Sequence, residues 1–502
     1  MEIGGSTEVA LHFTDFPWLS LLLMILPLGA AISLLMPAKK VRYAALATNL
    51  LVLITAITIT VNFDSNLSGF QFVERHAWIN TLNIHYFLGI DGLSVLFLPA
   101  TALLFTAVTL SSWNSIQTFR RTYFFLLLIL EASILGVFSA LDTIFFMLFW
   151  ESTLIPIYFL ISLWGVGASR RYAGTKYVLF MLVGGISILF AFVLLAIQPD
   201  GSTIFDYTEL LKVAQSNKYQ TIIFFLLLFG FGVKTPLLLL HSWLPVLAQE
   251  GHPGTIAIIV GLKIGAYGLL RFTLPLAPDA AQNFQFLLVG FGIVALIYGA
   301  VAALKQTNIR SMLAYSSLSH VGLVVLGIST LSLQGIEGAV MQMLNFSLFS
   351  SGLFLLSGFL LQRIGSTDIL SLGGVAKSMP LLTSFFFFFG LANMGVPGTS
   401  SFPAELLIII STMSIYTGVG LAVLLGVILN AAYFLAIFRK AFLGECNNEV
   451  VADAMDLKSR ELLIVFVLAV IVLLVGVYPQ PVLAVIEQAS QMWVSIISSE
   501  LR

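Results

Sequence analysis

Residues 231–263 read FGVKTPLLLLHSWLPVLAQEGHPGTIAIIVGLK, and the fold turns on this stretch. An apolar run carries Lys234 and, two residues later, Pro236. A short polar segment with His241, Glu250 and His252 follows, and a second apolar run carries Lys263. A charged side chain deep in a bilayer costs roughly 2.5–3.5 kcal/mol or more, so such residues are rare and mark functional pathways. Proline interrupts the helix ladder, and freed carbonyls near Pro236 would solvate an ammonium. The stretch therefore predicts a broken membrane helix, a lysine on either side, and a path for ions or protons.

Composition leads to the same class. Of 502 residues, 59% are hydrophobic and 9% are charged, with a mean hydropathy of +1.02. A soluble domain carries about 25% charged residues, and its surface needs them. The chain is read as an all-α polytopic membrane protein. A net charge of -1 argues against nucleic acid as a partner. The single cysteine, Cys446, excludes an internal disulfide, a thiolate-held iron–sulfur cluster and a structural zinc site of the usual kind. The opening MEIGGSTEVALHFTDF has no basic n-region, so the apolar run from Trp18 is expected to be a retained span rather than a cleaved signal.

At about 20 apolar residues per crossing, the chain holds about fourteen spans. They fall at 17–36, 43–62, 86–110, 123–140, 143–164, 177–197, 221–240, 254–275, 286–304, 311–330, 335–361, 380–400, 413–438 and 461–480. No linker divides them, so one membrane domain covers 1–502. Within it, 1–122 holds the N-terminal helices, 123–285 a first repeat, 286–440 a second, and 441–502 a C-terminal helix and tail. Alternate loops carry sixteen Lys and Arg on one side. The other side has five: Arg75, Lys212, Lys218, Arg271 and Arg502. The positive-inside rule then places both termini on the outer, non-cytoplasmic side. An offset of about 163 residues between repeats sets Pro236 against Pro397, so each half has a broken helix. Five spans per repeat is an odd number, which inverts the second repeat relative to the first.

Several ionisable residues fall inside spans. Lys234 and Lys263 are candidate proton carriers, because a buried lysine can titrate near neutrality. Snorkelling to the interface is the alternative for Lys234. Glu151, in FFMLFWESTLIPIYFL, is a candidate partner for Lys234, or a structural ion pair with it. Glu405, after GVPGTSSFPAE, is read as the second half's counterpart of Lys234, or as a helix-start carboxylate. Glu131, in LLLILEASILGVF, either joins this network or packs structurally. Asp91 reads as a helix cap. His320 suits a proton relay, and a structural histidine is the alternative. His241 and His252 bracket an expected inward loop and a proton entrance. Phosphate-loop, nucleophile-elbow and HExxH motifs are absent from the sequence.

The runs GIDGLS (89–94), GVFSALDTIFFMLFWESTLIPIYFLISLWG (136–165), FGVKTPLLLLHSWLP (231–245), GLKIGAYGLLRF (261–272), LKQTNIRSMLAYSSLSHVGLV (304–324) and GVPGTSSFPAE (395–405) occur in this order. Their combination resembles the chain M (subunit 4) family of proton-pumping NADH:quinone oxidoreductase, respiratory complex I. That family is antiporter-like and related to Mrp-type cation/proton antiporters. The resemblance covers nearly the whole chain. It implies fourteen helices, two inverted five-helix repeats and two discontinuous helices. It also implies a place between the similar chains L and N in the membrane arm. NAD, FMN, iron–sulfur clusters and quinone would belong to partner subunits, with none held by this chain.

By position, the resemblance makes Glu151 the essential glutamate, Lys234 its paired lysine and Lys263 the central lysine. It makes His320 the relay histidine and Glu405 the distal acid. The chain departs from the pattern at Val246-Leu247-Ala248, at Asn308 and at Phe346, where a histidine is usual. These departures leave room for a specialised paralogue, as in an inorganic-carbon-uptake complex. An Mrp-type antiporter subunit and a non-pumping spacer are the rival readings.

Overall fold

The computed structural model describes residues 9–198, 201–446 and 448–498. Arg502, counted above among the outer charges, lies outside the described residues, as do both chain ends. Eleven helices in the described residues are long and apolar enough to cross a membrane, and four shorter apolar ones accompany them.

The chain enters through β1 (Leu11–Phe13) and two antiparallel neighbours, α1 (Trp18–Leu35) and α2 (Val41–Val61). Only 39% and 33% of these two helices is buried, so most of their surface is left for lipid or partners. Next comes a hairpin, β2 (Phe70–Ile79) and β3 (Ile84–Ile90), before α3 (Phe97–Ser111). β1 pairs parallel with β2, and β2 antiparallel with β3 through Arg75↔Phe87 and Glu74↔Leu88. The fold is predominantly helical as expected, with this small sheet added, and one boundary is corrected: the expected span 86–110 is a helix only from Phe97. The apolar run Tyr86–Ile90 counts toward hydropathy, but its backbone groups bond across to β2.

The first half runs α4 (Arg120–Ser139), α5 (Thr143–Ser152), α6 (Leu154–Trp164), α7 (Arg170–Ala196), the short α8 (Tyr207–Ala214), α9 (Gln220–Lys234), α10 (Trp243–Glu250), α11 (Pro253–Gly261) and α12 (Ile264–Gly268). α12 winds into a π-turn at 269–273. The short α13 (Pro278–Asn283) leads to the second half. It comprises α14 (Gln285–Leu304), α15 (Ile309–Ser329), α16 (Leu333–Ile364), the single turn α17 (Val375–Ser378), α18 (Pro380–Asn393), α19 (Ser401–Ile415) and α20 (Thr417–Ala441). The turn α21 (Glu449–Ala452), α22 (Ser459–Val477) and α23 (Gln480–Ser498) close the described chain. Helix starts at 120, 143, 170, 220 and 253 have counterparts at 285, 309, 333, 380 and 417, near the expected offset.

Local chemistry sets many of these boundaries. Asp142 caps α5 by accepting from the Ile144 and Phe145 amides, Asn308 caps α15, and Ser332 caps α16. Proline opens α11, α13 and α18, where its missing N–H costs nothing. Gly365, at φ +80°, ends α16 in the left-handed conformation that favours glycine. α15, α16 and the span 253–273 each have an 18-residue stretch that is 94% buried, and they form the centre. Lys263, Arg271, Arg310 and His320 on those segments are buried in protein.

Candidate functional site

In the first half, α9 stops on Lys234 and α10 resumes at Trp243. The break satisfies part of its own backbone. Trp243 Nε1 donates to the Val233 carbonyl at 3.0 Å, and the Leu237 amide donates to Gly232 at 2.9 Å. Lys234 thus sits at the negative end of a half-helix, which favours a cation. Its Nζ donates to Thr153 Oγ1 at 3.0 Å and lies 3.9 Å over the Trp150 ring. Glu151, on the same turn, acts on Lys234 through space. The expected direct ion pair is not formed, because the four ion pairs among the described residues lie elsewhere. Thr153 and Trp150 occupy the amine instead. The Glu151 carboxyl fits against Gly185 of α7, where a Cβ would collide with Oε1.

The second lysine stands at a break the sequence did not announce. α11 ends at Gly261, Leu262 is extended, and Lys263 opens α12. No proline is involved. Gly261 and Gly265 let Ser351 and Thr235 approach within what would be collision distance of a Cβ. Lys263 is buried, with Nζ donating to Ser317 Oγ at 2.6 Å and lying 3.7 Å over the Phe346 ring. Beside Lys234 lies a cavity of about 20 Å³, lined mostly by apolar side chains such as Ile157, Ile258 and Leu262, with Thr153, Tyr177 and Lys234 as its polar members. That volume suits roughly one water molecule, with those three as its polar partners.

In the second half, α18 stops on Asn393 and α19 begins at Ser401. His320 is fully buried on α15, and both ring nitrogens are engaged. Nε2 is 3.1 Å from Asn393 Oδ1, and Nδ1 is 3.2 Å from the Gln342 amide. Asn393 also binds Ser316 at 2.9 Å and Tyr433 at 3.1 Å. Glu405 is buried in the first turns of α19 and interacts with Gln342. Its carboxyl rests on Gly395, at φ +66°, where a Cβ would collide with Oε2. Glu405 is therefore not the positional counterpart of Lys234. Each ends a different kind of segment: Lys234 closes the first half-helix of its pair, as Asn393 does in the other half, whereas Glu405 lies beyond the break.

The remaining candidates fall elsewhere. Glu131 is fully buried on α4, and neither carboxyl oxygen finds a partner among the described residues. Nothing described links it to the lysines. Asp91 does bind the Leu93 amide as a cap, at 3.2 Å, but it also forms a buried ion pair with Arg271 at 2.6 Å. Arg271 accordingly is no loop residue; it sits in the π-turn against Phe70 and Tyr207. His241 lies within the break, near Tyr298 and Tyr315, rather than at an inward loop. Most of that expected loop is α10, and only Gly251 and His252 make the turn. His252 does line a polar vestibule of about 770 Å³, with Glu250, Arg170, Asn308, Arg310 and Asp368. Burial, aided by the Arg310 charge, holds the His252 imidazole down at about 4.

Sequence reasoning missed Thr153, Trp150, Gln342, Asn393 and Tyr433. These are uncharged residues on apolar helices, and of them only Trp150 and Thr153 stood near a residue already singled out, Glu151.

A sequence model described as NADH:quinone oxidoreductase/Mrp antiporter, transmembrane, matches residues 140–430. NADH-ubiquinone oxidoreductase chain 4 of Chondrus crispus is 35% identical over 477 residues, covering 94% of this chain and 96% of that one. NADH-quinone oxidoreductase subunit M of Rhodobacter capsulatus is 35% identical over 478 residues, covering 91% and 93%. Among solved structures, a chain of respiratory complex I from Thermus thermophilus with bound NADH superposes with a TM-score of 0.87 at 28% identity, covering 95% of this chain and 99% of that one. A chain of the Mrp complex from Dietzia sp. DQ12-45-1b shares the fold, with a TM-score of 0.84 at 20% identity, covering 95% and 98%.

Proposed function

Because the chain belongs to the NADH:quinone oxidoreductase/Mrp antiporter transmembrane family, in its subunit M and chain 4 branch, we propose that it translocates protons as an antiporter-like membrane-arm subunit of an NADH (or ferredoxin):quinone oxidoreductase. One observation carries this reading. Buried or part-buried titratable groups recur through both halves: Lys234, Lys263 and Glu405 adjoin helix breaks, while Glu151 and His320 stand within α5 and α15. Between these groups stand hydroxyls, amides and a water-sized cavity.

Glu151 sets the charge around Lys234. A proton on Lys234 passes toward Lys263 through the cavity and Ser317. From there His320, Gln342 and Glu405 lead into the second half. Glu131 stands apart from that line, with no partner among the described residues. The chain itself does no redox chemistry; NAD, FMN, iron–sulfur clusters and quinone belong to partner subunits. Its neighbours are antiporter-like chains of the L and N type. It resides in a bacterial inner membrane or a thylakoid membrane, with both termini on the non-cytoplasmic side, as the loop charges indicate.

Lys263→Met keeps the side-chain volume but cannot hold a proton. In the purified complete complex it is expected to abolish proton translocation while the subunits remain assembled. Full coupled translocation in that variant would sink the reading. The shared fold gives an Mrp-type antiporter a standing as the rival. Purification under mild conditions separates the two: flavin and iron–sulfur proteins co-eluting with the chain support the first, a cofactor-free antiporter assembly the second.

A further inference from the structure

Resting on the translocation reading, we propose that the buried Asp91–Arg271 ion pair positions Lys263: it fixes the rotational register of α12 and so holds the Lys263 amine at Ser317 and Phe346. Both residues act through the helix between them and Lys263, not on a proton. α12 is only five residues long, with irregular backbone on either side. Leu262 is extended before it, and the π-turn 269–273 follows. A π-turn holds more residues than an α-turn, and such turns mark functional sites. One residue more or less in a helix turns everything on one side of it by ~100°. A turn of that size would carry Lys263 away from Ser317 Oγ, 2.6 Å from its amine. It would also move Gly265 and Gly268 off Thr235 and Phe231, where a side chain would collide.

Arg271 keeps the π-turn in place from its outer end. Its Nη1 donates to Asp91 Oδ2 at 2.6 Å, and its guanidinium lies 4.7 Å over the Phe70 ring and 5.3 Å over that of Tyr207. Its carbonyl is held as well. Pro275, four residues on, has no N–H to give it. The Tyr207 hydroxyl donates to that carbonyl instead, at 2.6 Å. Asp91 is fixed in turn by the scaffold around it. It accepts from the Leu93 amide at 3.2 Å, and its own amide donates to Ser94 Oγ at 3.1 Å. Gly92 lies so close to the Val485 carbonyl of α23 that a Cβ would collide. The π-turn is thus bolted to the N-terminal sheet, α8 and α23. Stability alone does not account for an ion pair at 3% and 0% exposure. Desolvation of two charges offsets their attraction, and apolar pairs of like volume are often as stable. What an apolar contact lacks is direction, and direction is what a register needs.

The test uses the complete complex in vesicles and two readouts: protons translocated per quinone reduced, and hydrogen–deuterium exchange of the amides of residues 264–273. Asp91→Leu combined with Arg271→Met replaces the pair by an apolar contact. This variant is expected to assemble with a Tm close to native, to speed exchange in 264–273 about tenfold, and to lower translocation several-fold. A purely structural pair would be replaced without those losses. Unchanged exchange overturns the proposal whatever translocation does, and so does faster exchange with native translocation. Should the apolar pair not assemble, Asp91→Asn is read in a cycle with Ser317→Ala. Both changes then act on one amine. The double variant is expected to translocate no more than about twofold below the slower single variant, and fully multiplied losses overturn the proposal. Lys263→Met leaves the ion pair in place and is expected to exchange like the native chain. Full translocation in that variant would remove the translocation reading, and the exchange result alone then decides the register.

Discussion

The two broken helices have the same plan and opposite chemistry. In the first half, the charge sits before the break, on the last residue of α9. In the second, it sits after the break, in the first turns of α19. A lysine at a helix C-terminus is stabilised by the half-helix that carries it, whereas Glu405 lies beyond the first turn of α19, where that effect has faded. The surroundings differ too. Lys234 and Lys263 are held by one hydroxyl and one aromatic face each. His320 and Glu405 sit among amides. An aromatic face steadies a cation whatever its neighbours do. An amide responds, because it can donate or accept. On the proposed translocation, the first half would store a charge and the second would exchange one.

This comparison can be broken at the charges themselves. Lys234→Glu puts an anion at the negative end of α9 and beside Glu151. It is expected to abolish translocation and to lower the stability of the assembled complex by ~3 kcal/mol or more, read as a fall in Tm. The glycine supports come next. Gly395→Ala would force a left-handed residue and displace Glu405, costing ~1–3 kcal/mol. Gly185→Ala displaces Glu151 without a backbone penalty, so its Tm shift is expected to be smaller. Equal shifts would show that the two carboxylates are seated alike. The aromatic caps sharpen the contrast further. Trp150→Leu and Phe346→Leu each remove a cation–π contact worth ~0.5–2 kcal/mol. Both are expected to slow translocation several-fold without abolishing it, in coupled proton uptake by vesicles.

The smallest effect lies outside the spans. Burial first, and then Asp206, pushes the Asp142 carboxyl from 3.8 to about 6, against the amides of His85, Phe145 and Ile144. A raised folded-state value means that the stability contributed by Asp142 is fully present below 3.8 and is lost as pH rises through about 6. Asp142→Asn is therefore expected to flatten the fall in Tm across that window. An unchanged slope would assign the fall to other groups.

Much of this was legible in the sequence because charge and proline are conspicuous in an apolar chain. Lys234 with Pro236, and Glu405 with Pro397, announced the two breaks, and both were found. The break at Lys263 was not legible, since glycine packing causes it and the chain there reads as continuous apolar helix. Asp91 and Arg271 were read separately as a cap and a loop charge, because 180 residues separate them. Gln342, Asn393 and Thr153 look in sequence like ordinary polar residues in membrane helices. Their importance comes only from what stands on the neighbouring helix. The strand at 84–90 was mistaken for the start of a span because hydropathy does not register where backbone hydrogen bonds go.

Phe346 touches both charge-bearing groups, 3.7 Å from the Lys263 ammonium and 5.3 Å between ring centroids from His320. A benzene ring attracts a cation but offers no lone pair on which a proton can rest. On the proposed path the ring would act as an insulator between two conductors. A proton leaving Lys263 for His320 would have to go around it, and the hydroxyl at hand is that of Ser317, which accepts from the lysine.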